Sequence, residues 1–102
     1  MVHPIIENKL PELGNIFKSH NVKRAYLFGS VCTEAFNETS DIDFLIEPGD
    51  EIDPVIGGEI LWDLYYALKN LLKRDIDMVT RESLTNKYFI EELNRTSVPI
   101  YR

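Results

Sequence analysis

Two aspartates separated by one residue follow a Gly-Ser pair after ten intervening residues, an arrangement that could bind a metal ion and a phosphate group. Alternation along a strand would put Asp41 and Asp43 on one face, where neighbouring carboxylates repel each other. A divalent cation removes that repulsion, and oxygen ligands favour hard ions such as Mg²⁺ or Mn²⁺. Gly29 lets the backbone turn sharply and approach an anionic ligand closely, while Ser30 offers a hydroxyl. The spacing therefore predicts a metal site beside a phosphate site.

Apolar runs on both sides of this motif predict the strands that carry it. Residues 25–28 read Ala-Tyr-Leu-Phe, which is typical of a buried strand that ends at Gly29. Residues 41–46 begin with alternation and continue as an apolar run, which predicts a second strand. The β-branched and apolar residues at 75–80 predict a third. Since α/β sheets bind ligands at the carboxyl ends of strands, the Gly-Ser pair stands where a ligand is expected.

The stretch over residues 27–46 resembles the signature of the polymerase-β-like nucleotidyltransferase superfamily, and in particular its minimal, single-domain members. The resemblance implies an α/β (α+β) fold with a small mixed sheet of about three to four strands packed against helices. It also implies that Gly29 and Ser30 hold the nucleotide triphosphate. Asp41 and Asp43, together with a third aspartate on a later strand, would bind two Mg²⁺ ions.

The third metal-binding carboxylate of that family precedes an apolar pair on its strand. Asp77 is followed by Met78 and Val79, so the resemblance assigns this role to Asp77. Asp75 lies on the same face of the predicted strand, one pleat nearer its start, and is expected to sit further from the site.

One stretch departs from the family pattern and affects how phosphate charge is neutralised. Many minimal members carry Ala-Arg-Gly shortly after the Gly-Ser pair, whereas residues 32–34 here are Cys-Thr-Glu. The sequence therefore lacks the arginine that is well placed for the triphosphate. Arg81, Lys87 or a residue of a partner protein are the alternatives that the sequence leaves open.

The activity that the resemblance implies is in-line transfer of a nucleoside monophosphate, AMP from ATP, to an acceptor hydroxyl. Similar minimal members accompany small helical HEPN-type toxins and act as antitoxins by transferring AMP to a toxin tyrosine, so such a toxin is the expected partner. The absent arginine keeps open a second hypothesis, an inactive module that neutralises a helical partner by binding it. Transfer to a small molecule such as an antibiotic usually needs an extra acceptor-binding domain, for which 102 residues leave no room.

Length and composition limit the wider function classes. The 102 residues, 44% of them hydrophobic, predict one domain spanning residues 1–102. A formal net charge of −6 argues against unspecific binding to long nucleic acids, which needs clustered Lys and Arg. The single cysteine, Cys32, excludes an internal disulfide, and no apolar run approaches the roughly 20 residues of a membrane span. We therefore expect a cytoplasmic protein.

Helices are expected before and between the strands. Apolar residues at three- and four-residue steps predict a helix over residues 10–20, which Asn21 could end in a left-handed conformation. A loop then extends from residue 47 to about 58, and a broad apolar face predicts a long helix from there to residue 74.

A shorter helix and an extended segment are expected at the end of the sequence. Ser83 or Thr85 would cap a helix over residues 86–94, with Tyr88, Phe89 and Leu93 facing inward. Residues 98–101 are predicted as a short extended segment that their proline confines to a sheet edge.

Overall fold

Four strands form one mixed sheet in the computed structural model, which describes residues 3–50 and 53–102. The strands are β1 (Val22–Phe28), β2 (Ile42–Pro48), β3 (Ile76–Thr80) and β4 (Val98–Tyr101), in the spatial order β3-β2-β1-β4. β1 runs antiparallel to β2 and to β4, whereas β2 and β3 are parallel. The predicted small mixed sheet is confirmed, and β4 lies at an edge, where its proline is tolerated.

Helices and short turns connect the strands. The helices are α1 (Pro4–Glu7), α2 (Leu10–Ser19), α3 (Pro54–Leu72) and α4 (Lys87–Thr96). Two 3₁₀ turns, Gly29–Cys32 and Arg81–Ser83, follow β1 and β3 directly. Asn21 follows α2 with a left-handed φ of 56°, as the sequence indicated. Within the described ranges, no helix is both long and apolar enough to cross a membrane.

The long helix α3 begins earlier than predicted. The loop was expected to reach residue 58, but the helix starts at Pro54. The Asp53 carboxylate caps it by accepting a 2.9 Å hydrogen bond from the Val55 amide, and proline is well suited to the first helical position. Gly57 and Gly58 disfavour a helix by their intrinsic propensity, which explains the error. Here the start signals outweigh the two glycines.

The last helix, α4, differs from the prediction at its cap and on its exposed side. Its N-cap is Asn86, whose side-chain oxygen accepts a 3.0 Å hydrogen bond from the Phe89 amide, so neither predicted residue caps the helix. Leu93 is buried as predicted, Phe89 is only partly covered with 41% of it exposed, and Tyr88 is 81% exposed. The inward position expected for Tyr88 is therefore wrong, because only one side of this helix meets the sheet.

The sheet separates a large hydrophobic core from a small one. On one face, the large core forms around Phe44 of β2 and Leu64 of α3. On the opposite face, Leu93 of α4 packs in a small cluster with Leu45. Since alternate residues of a strand face opposite sides, Asp43 lies on the same face as Leu45. The candidate site therefore lies beside the small core.

Candidate active site

The pairing of three strands brings predicted site residues together at one end of the sheet. The parallel register of β2 and β3 places Asp43 beside Asp77. The antiparallel register of β1 and β2 places Phe28 beside Asp43, and Gly29 follows Phe28 directly. Asp41 precedes the first residue of β2 and is exposed. The structure thus assembles Gly29, Asp43 and Asp77, with Asp41 next to them at the surface.

The contact between Gly29 and Asp43 requires a glycine. Gly29 has a φ of +74°, a conformation that favours glycine over residues with a Cβ atom. A Cβ atom built on Gly29 would lie 2.1 Å from Asp43 Oδ2, far inside van der Waals contact. The Asp43 carboxylate therefore occupies the space that a side chain would fill. The predicted phosphate loop and the predicted metal ligand are in direct contact.

Ser30 lies in the 3₁₀ turn that begins at Gly29, and Thr33 closes this turn. The backbone amide and the hydroxyl of Thr33 both donate hydrogen bonds of 2.9 Å to the Ser30 carbonyl. The same hydroxyl accepts a 3.1 Å hydrogen bond from the Ala35 amide. Thr33 therefore stabilises the loop at the position where the family pattern has an arginine. It supplies no positive charge for a phosphate.

The surroundings of Asp43 disfavour its charged form. Burial, with the neighbouring carboxylates of Asp77 and Asp41 adding to it, raises the pKa of Asp43 to about 6. Partial burial disfavours the charged form, and like charges nearby disfavour it further. Asp41 and Asp77 are both exposed. The site therefore holds Asp43 in a position where a bound cation would be stabilising.

The donor set suits a hard divalent cation. One or two carboxylates combined with substrate phosphates are the usual ligands by which proteins hold Mg²⁺. A cation at Asp43 and Asp77 would also offset the repulsion that raises the Asp43 pKa. In the described part of the chain, no three carboxylate, imidazole or thiol groups are already clustered closely enough to hold a metal ion. The residues fit Mg²⁺, and the assignment of Asp41, Asp43 and Asp77 as its ligands stays a prediction.

Asp75 takes part in a different interaction. Its side chain is 79% exposed, and one of its carboxylate oxygens lies 3.6 Å from Lys69 Nζ of α3. An ion pair this exposed contributes little to stability. Asp75 thus interacts with the end of α3, whereas Asp77 lies beside Asp43.

Arg81, one of the alternatives for the missing cation, is held by other groups. Its Nε lies 3.1 Å from Glu47 Oε2, and its Nη1 donates a 3.0 Å hydrogen bond to the Asn94 side chain. Its guanidinium also lies 5.5 Å from the centre of the Tyr26 ring. Glu47 is four residues beyond Asp43 on β2, towards the other end of the strand. These contacts give Arg81 a structural role away from the carboxylates.

Arg74 is a positioning residue that sequence reasoning did not identify. Its Nη2 donates hydrogen bonds to the backbone carbonyls of Asn37 and Ser40, the latter at 2.7 Å. Its guanidinium lies 4.4 Å from the centre of the Phe36 ring. Arg74 therefore holds the loop that leads into Asp41. The sequence signal was only a basic residue near the end of a helix, which is expected on helix-dipole grounds alone.

The chain matches the protein-family model described as polymerase beta, nucleotidyltransferase, over residues 11–102. The matched segment contains the Gly-Ser pair and all three aspartates of the candidate site. A protein of Methanocaldococcus jannaschii named "Putative protein adenylyltransferase MJ0435" is 39% identical over 72 residues. That match covers 68% of this chain and 70% of the relative.

Two solved structures share the fold. One, described as a "putative minimal nucleotidyltransferase", superposes with a TM-score of 0.78 and 24% identity, covering 97% of this chain and 96% of that chain. The other contains a tri-AMPylated Shewanella oneidensis HEPN toxin in complex with MNT antitoxin. It superposes with a TM-score of 0.63 and 19% identity, covering 92% of this chain and 70% of that chain. The family match, supported by the identity to the M. jannaschii protein, shows that this chain belongs to the polymerase beta nucleotidyltransferase family.

Proposed function

We propose that this nucleotidyltransferase transfers AMP from ATP to a tyrosine hydroxyl of a HEPN-type toxin and thereby acts as its antitoxin. The observation that carries the proposal is the contact of Gly29 with the Asp43 carboxylate, beside Asp77. Displacement at a nucleotide phosphorus needs a phosphate site and metal-binding carboxylates side by side. The adenylyltransferase name of the relative, and the fold shared with a complex that contains an AMPylated HEPN toxin, support the same reaction and acceptor.

Each site residue has a role in this proposal. Gly29 allows the triphosphate to approach the backbone, and Ser30 supplies a hydroxyl donor. Asp41 and Asp43 would hold two Mg²⁺ or Mn²⁺ ions, and Asp77 would hold the one nearer the acceptor hydroxyl. The chemistry supplied by such ions is a lower pKa of that hydroxyl and neutralisation of the leaving pyrophosphate.

The transfer exchanges one bond to phosphorus for another. The tyrosine oxygen forms a bond to the α-phosphorus of ATP, the bond from that phosphorus to the oxygen bridging the β-phosphate breaks, and pyrophosphate leaves. The hydroxyl proton passes to Asp77 or to water. Because Asp77 is exposed, it can return this proton to the solvent.

The proposal is tested by transfer of labelled AMP from ATP to a co-purified HEPN-type toxin in the presence of Mg²⁺. The double variant Asp41→Ala, Asp43→Ala should abolish labelling, because one remaining carboxylate cannot replace the donor set. Asp75→Ala is the matched control, since Asp75 is an exposed aspartate next to β3 that pairs with Lys69. It should label the toxin normally. Labelling that persists in the double variant would contradict the proposal.

A second candidate function is a catalytically inactive module that neutralises a helical partner by binding it. Two observations favour it: Thr33 closes the loop where the family has arginine, and Arg81 is bound to Glu47. A complex with the toxin that forms but binds no ATP with Mg²⁺ would support this function. Nucleotide-dependent labelling of the toxin would exclude it.

A further inference from the structure

A cavity of about 360 Å³ opens between the Gly29 turn and helix α4. Phe28, Gly29 and Thr33 line one side of it, and Phe89, Leu93 and Thr96 of α4 line the other. Gly29 is therefore shared between this cavity and the contact with Asp43. The cavity and the proposed transfer site adjoin each other.

The walls of the cavity suit a flat aromatic ligand. Phe28 and Leu93 are buried, whereas Phe89 is 41% exposed although it lies between two elements. The rings of Phe28 and Phe89 make an edge contact, with 6.1 Å between their centres. An aromatic ring that packs by its edge keeps a face free for stacking. Apolar walls with a few polar groups are typical of pockets for small ligands.

The polar groups around the cavity are already engaged in local hydrogen bonds. The Thr33 hydroxyl donates to the Ser30 carbonyl at 2.9 Å, and the Thr96 hydroxyl donates to the Glu92 carbonyl at 2.7 Å. The Glu92 carboxylate accepts a 2.7 Å hydrogen bond from Arg95 Nη2. Because each of these side chains already has a hydrogen-bond partner nearby, the aromatic surface is the main part of the cavity wall left to bind a ligand. Ligand recognition there would depend on stacking more than on a hydrogen-bond pattern.

The fold sets the backbone position of Phe89 before any ligand binds. Its backbone amide donates a 3.0 Å hydrogen bond to the Asn86 side chain, which caps α4. Leu93, one helical turn further, anchors the same side of the helix in the small core with Phe28 and Leu45. A preformed aromatic wall reduces the entropy cost of binding.

We propose that this cavity binds the purine base of the nucleotide donor, stacked on Phe89. The inference rests on the proposed function, which places the nucleotide phosphates at Gly29 and the carboxylates. Since only the ribose separates the base from the phosphates, the base must lie close to Gly29. The cavity is a concave surface that includes Gly29, and its volume of about 360 Å³ leaves room for an aromatic ring. An aromatic side chain of the acceptor protein is the other occupant that the test must exclude.

The test compares ATP with inorganic tripolyphosphate, which carries the phosphates without the base. Both are titrated calorimetrically into the chain with Mg²⁺. Phe89→Ala should weaken ATP binding by about tenfold, as expected for the loss of one base–aromatic stack, and should leave tripolyphosphate binding unchanged. Phe89→Trp retains an aromatic face and should bind ATP as the wild type does.

Two further variants separate stacking from folding. Tyr88→Ala is the matched control, because Tyr88 is the neighbouring aromatic residue, is 81% exposed and does not line the cavity. It should bind both ligands normally. Phe89→Leu keeps apolar bulk without an aromatic face, so it should retain the thermal unfolding midpoint and still lose ATP affinity. If Phe89→Leu bound ATP as tightly as the wild type, stacking on Phe89 would be excluded.

The same titrations distinguish failure of this inference from failure of the proposed function. Wild-type protein that binds ATP no more tightly than tripolyphosphate would overturn the base site while leaving the transfer reaction intact. Equal weakening of both ligands by Phe89→Ala would also overturn it, since the effect would then be structural. Wild-type protein that binds neither ligand, alone or with the toxin, would overturn both proposals.

Discussion

At the residue scale, Gly29 is a position in the candidate site that has no room for a side chain. A Cβ atom there would lie 2.1 Å from Asp43 Oδ2, and the φ of +74° is itself unfavourable for other residues. Gly29→Ala must therefore displace the Asp43 carboxylate or distort the turn. We expect the free energy of unfolding to fall by about 1–3 kcal/mol in urea titrations. We also expect loss of AMP transfer to the toxin.

Gly14→Ala is the control for the same chemical change. Gly14 lies inside α2, and a Cβ atom there would meet no other atom within 4 Å. Alanine is the better helix former, so this variant should gain about 0.5–1 kcal/mol of stability and keep its activity. If Gly29→Ala were as stable and active as Gly14→Ala, the close contact of Gly29 with Asp43 would be required neither for stability nor for AMP transfer.

Single residues were predictable from sequence where the signal was local. The Gly-Ser pair and the alternation of Asp41 and Asp43 are read directly from spacing, because the side-chain period of a strand is fixed. The contact between Gly29 and Asp43 joins two strands and has no local signal. The same applies to Arg81, which the sequence offered as a phosphate-binding cation and the structure pairs with Glu47.

At the scale of elements, Glu47 connects three parts of the sheet. It lies near the end of β2. One of its carboxylate oxygens pairs with Arg24 Nη1 of β1, and the other pairs with Arg81 Nε in the turn after β3, each at 3.1 Å. Burial alone would raise the pKa of Glu47, but hydrogen bonds from Arg24, Arg81 and Tyr26 outweigh it and lower the pKa. The ionised form of Glu47 therefore stabilises the folded state.

Glu47→Gln should lower the free energy of unfolding by about 1 kcal/mol at pH 7, because it removes a partly buried, charge-assisted interaction. Since the folded-state pKa lies below the ordinary value of 4.5, this stabilisation is present above pH 4.5 and is lost as the pH falls below it. Urea unfolding of both proteins across this range should therefore show the difference shrinking in acid.

Glu12→Gln is the control for the Glu47 prediction. Glu12 pairs with Lys9 at 3.9 Å, and both side chains are nearly half exposed, at 47% and 45%. An exposed pair of this kind should contribute less than about 0.5 kcal/mol. If Glu12→Gln and Glu47→Gln lowered the free energy of unfolding equally, the ion pairs of Glu47 with Arg24 and Arg81 would contribute no more than an exposed surface pair. AMP transfer should survive both changes, because Glu47 lies away from the carboxylates.

The ends of helices and strands were predictable where the hydrophobic pattern and the capping or turn residues indicated the same position. β1 ends at Phe28, where its apolar run over residues 25–28 ends, and Asn21 has the predicted left-handed conformation. α3 was predicted too short, because two glycines obscured the Asp53 cap and Pro54. The cap of α4 was assigned to the wrong residues, since several polar side chains precede it and only the fold decides which one reaches the free amides.

At the scale of the whole molecule, the large hydrophobic core and the candidate site lie on opposite faces of the sheet. The large core between the sheet, α2 and α3 contains most of the buried side chains. On the face that carries Asp43, α4 is held by the small cluster of Phe28, Leu45 and Leu93 and by the hydrogen bond from Arg81 to Asn94. The cavity beside Gly29 could not be predicted, because it depends on how α4 approaches a turn more than 50 residues earlier in the sequence.

This division predicts that equal substitutions in the two cores have different consequences. Leu64 and Leu93 are both almost fully buried, so replacement of either by alanine leaves a cavity, at a cost of about 2–5 kcal/mol for a well-packed site. Leu64→Ala should weaken hydrogen-exchange protection throughout the sheet and its helices, because the large core supports them all. Leu93→Ala should accelerate exchange mainly in the amides of α4, and it should weaken ATP binding while the sheet stays protected. If Leu93→Ala instead reduced protection uniformly, α4 would be part of the global folding unit, and the site would share the full stability of the sheet.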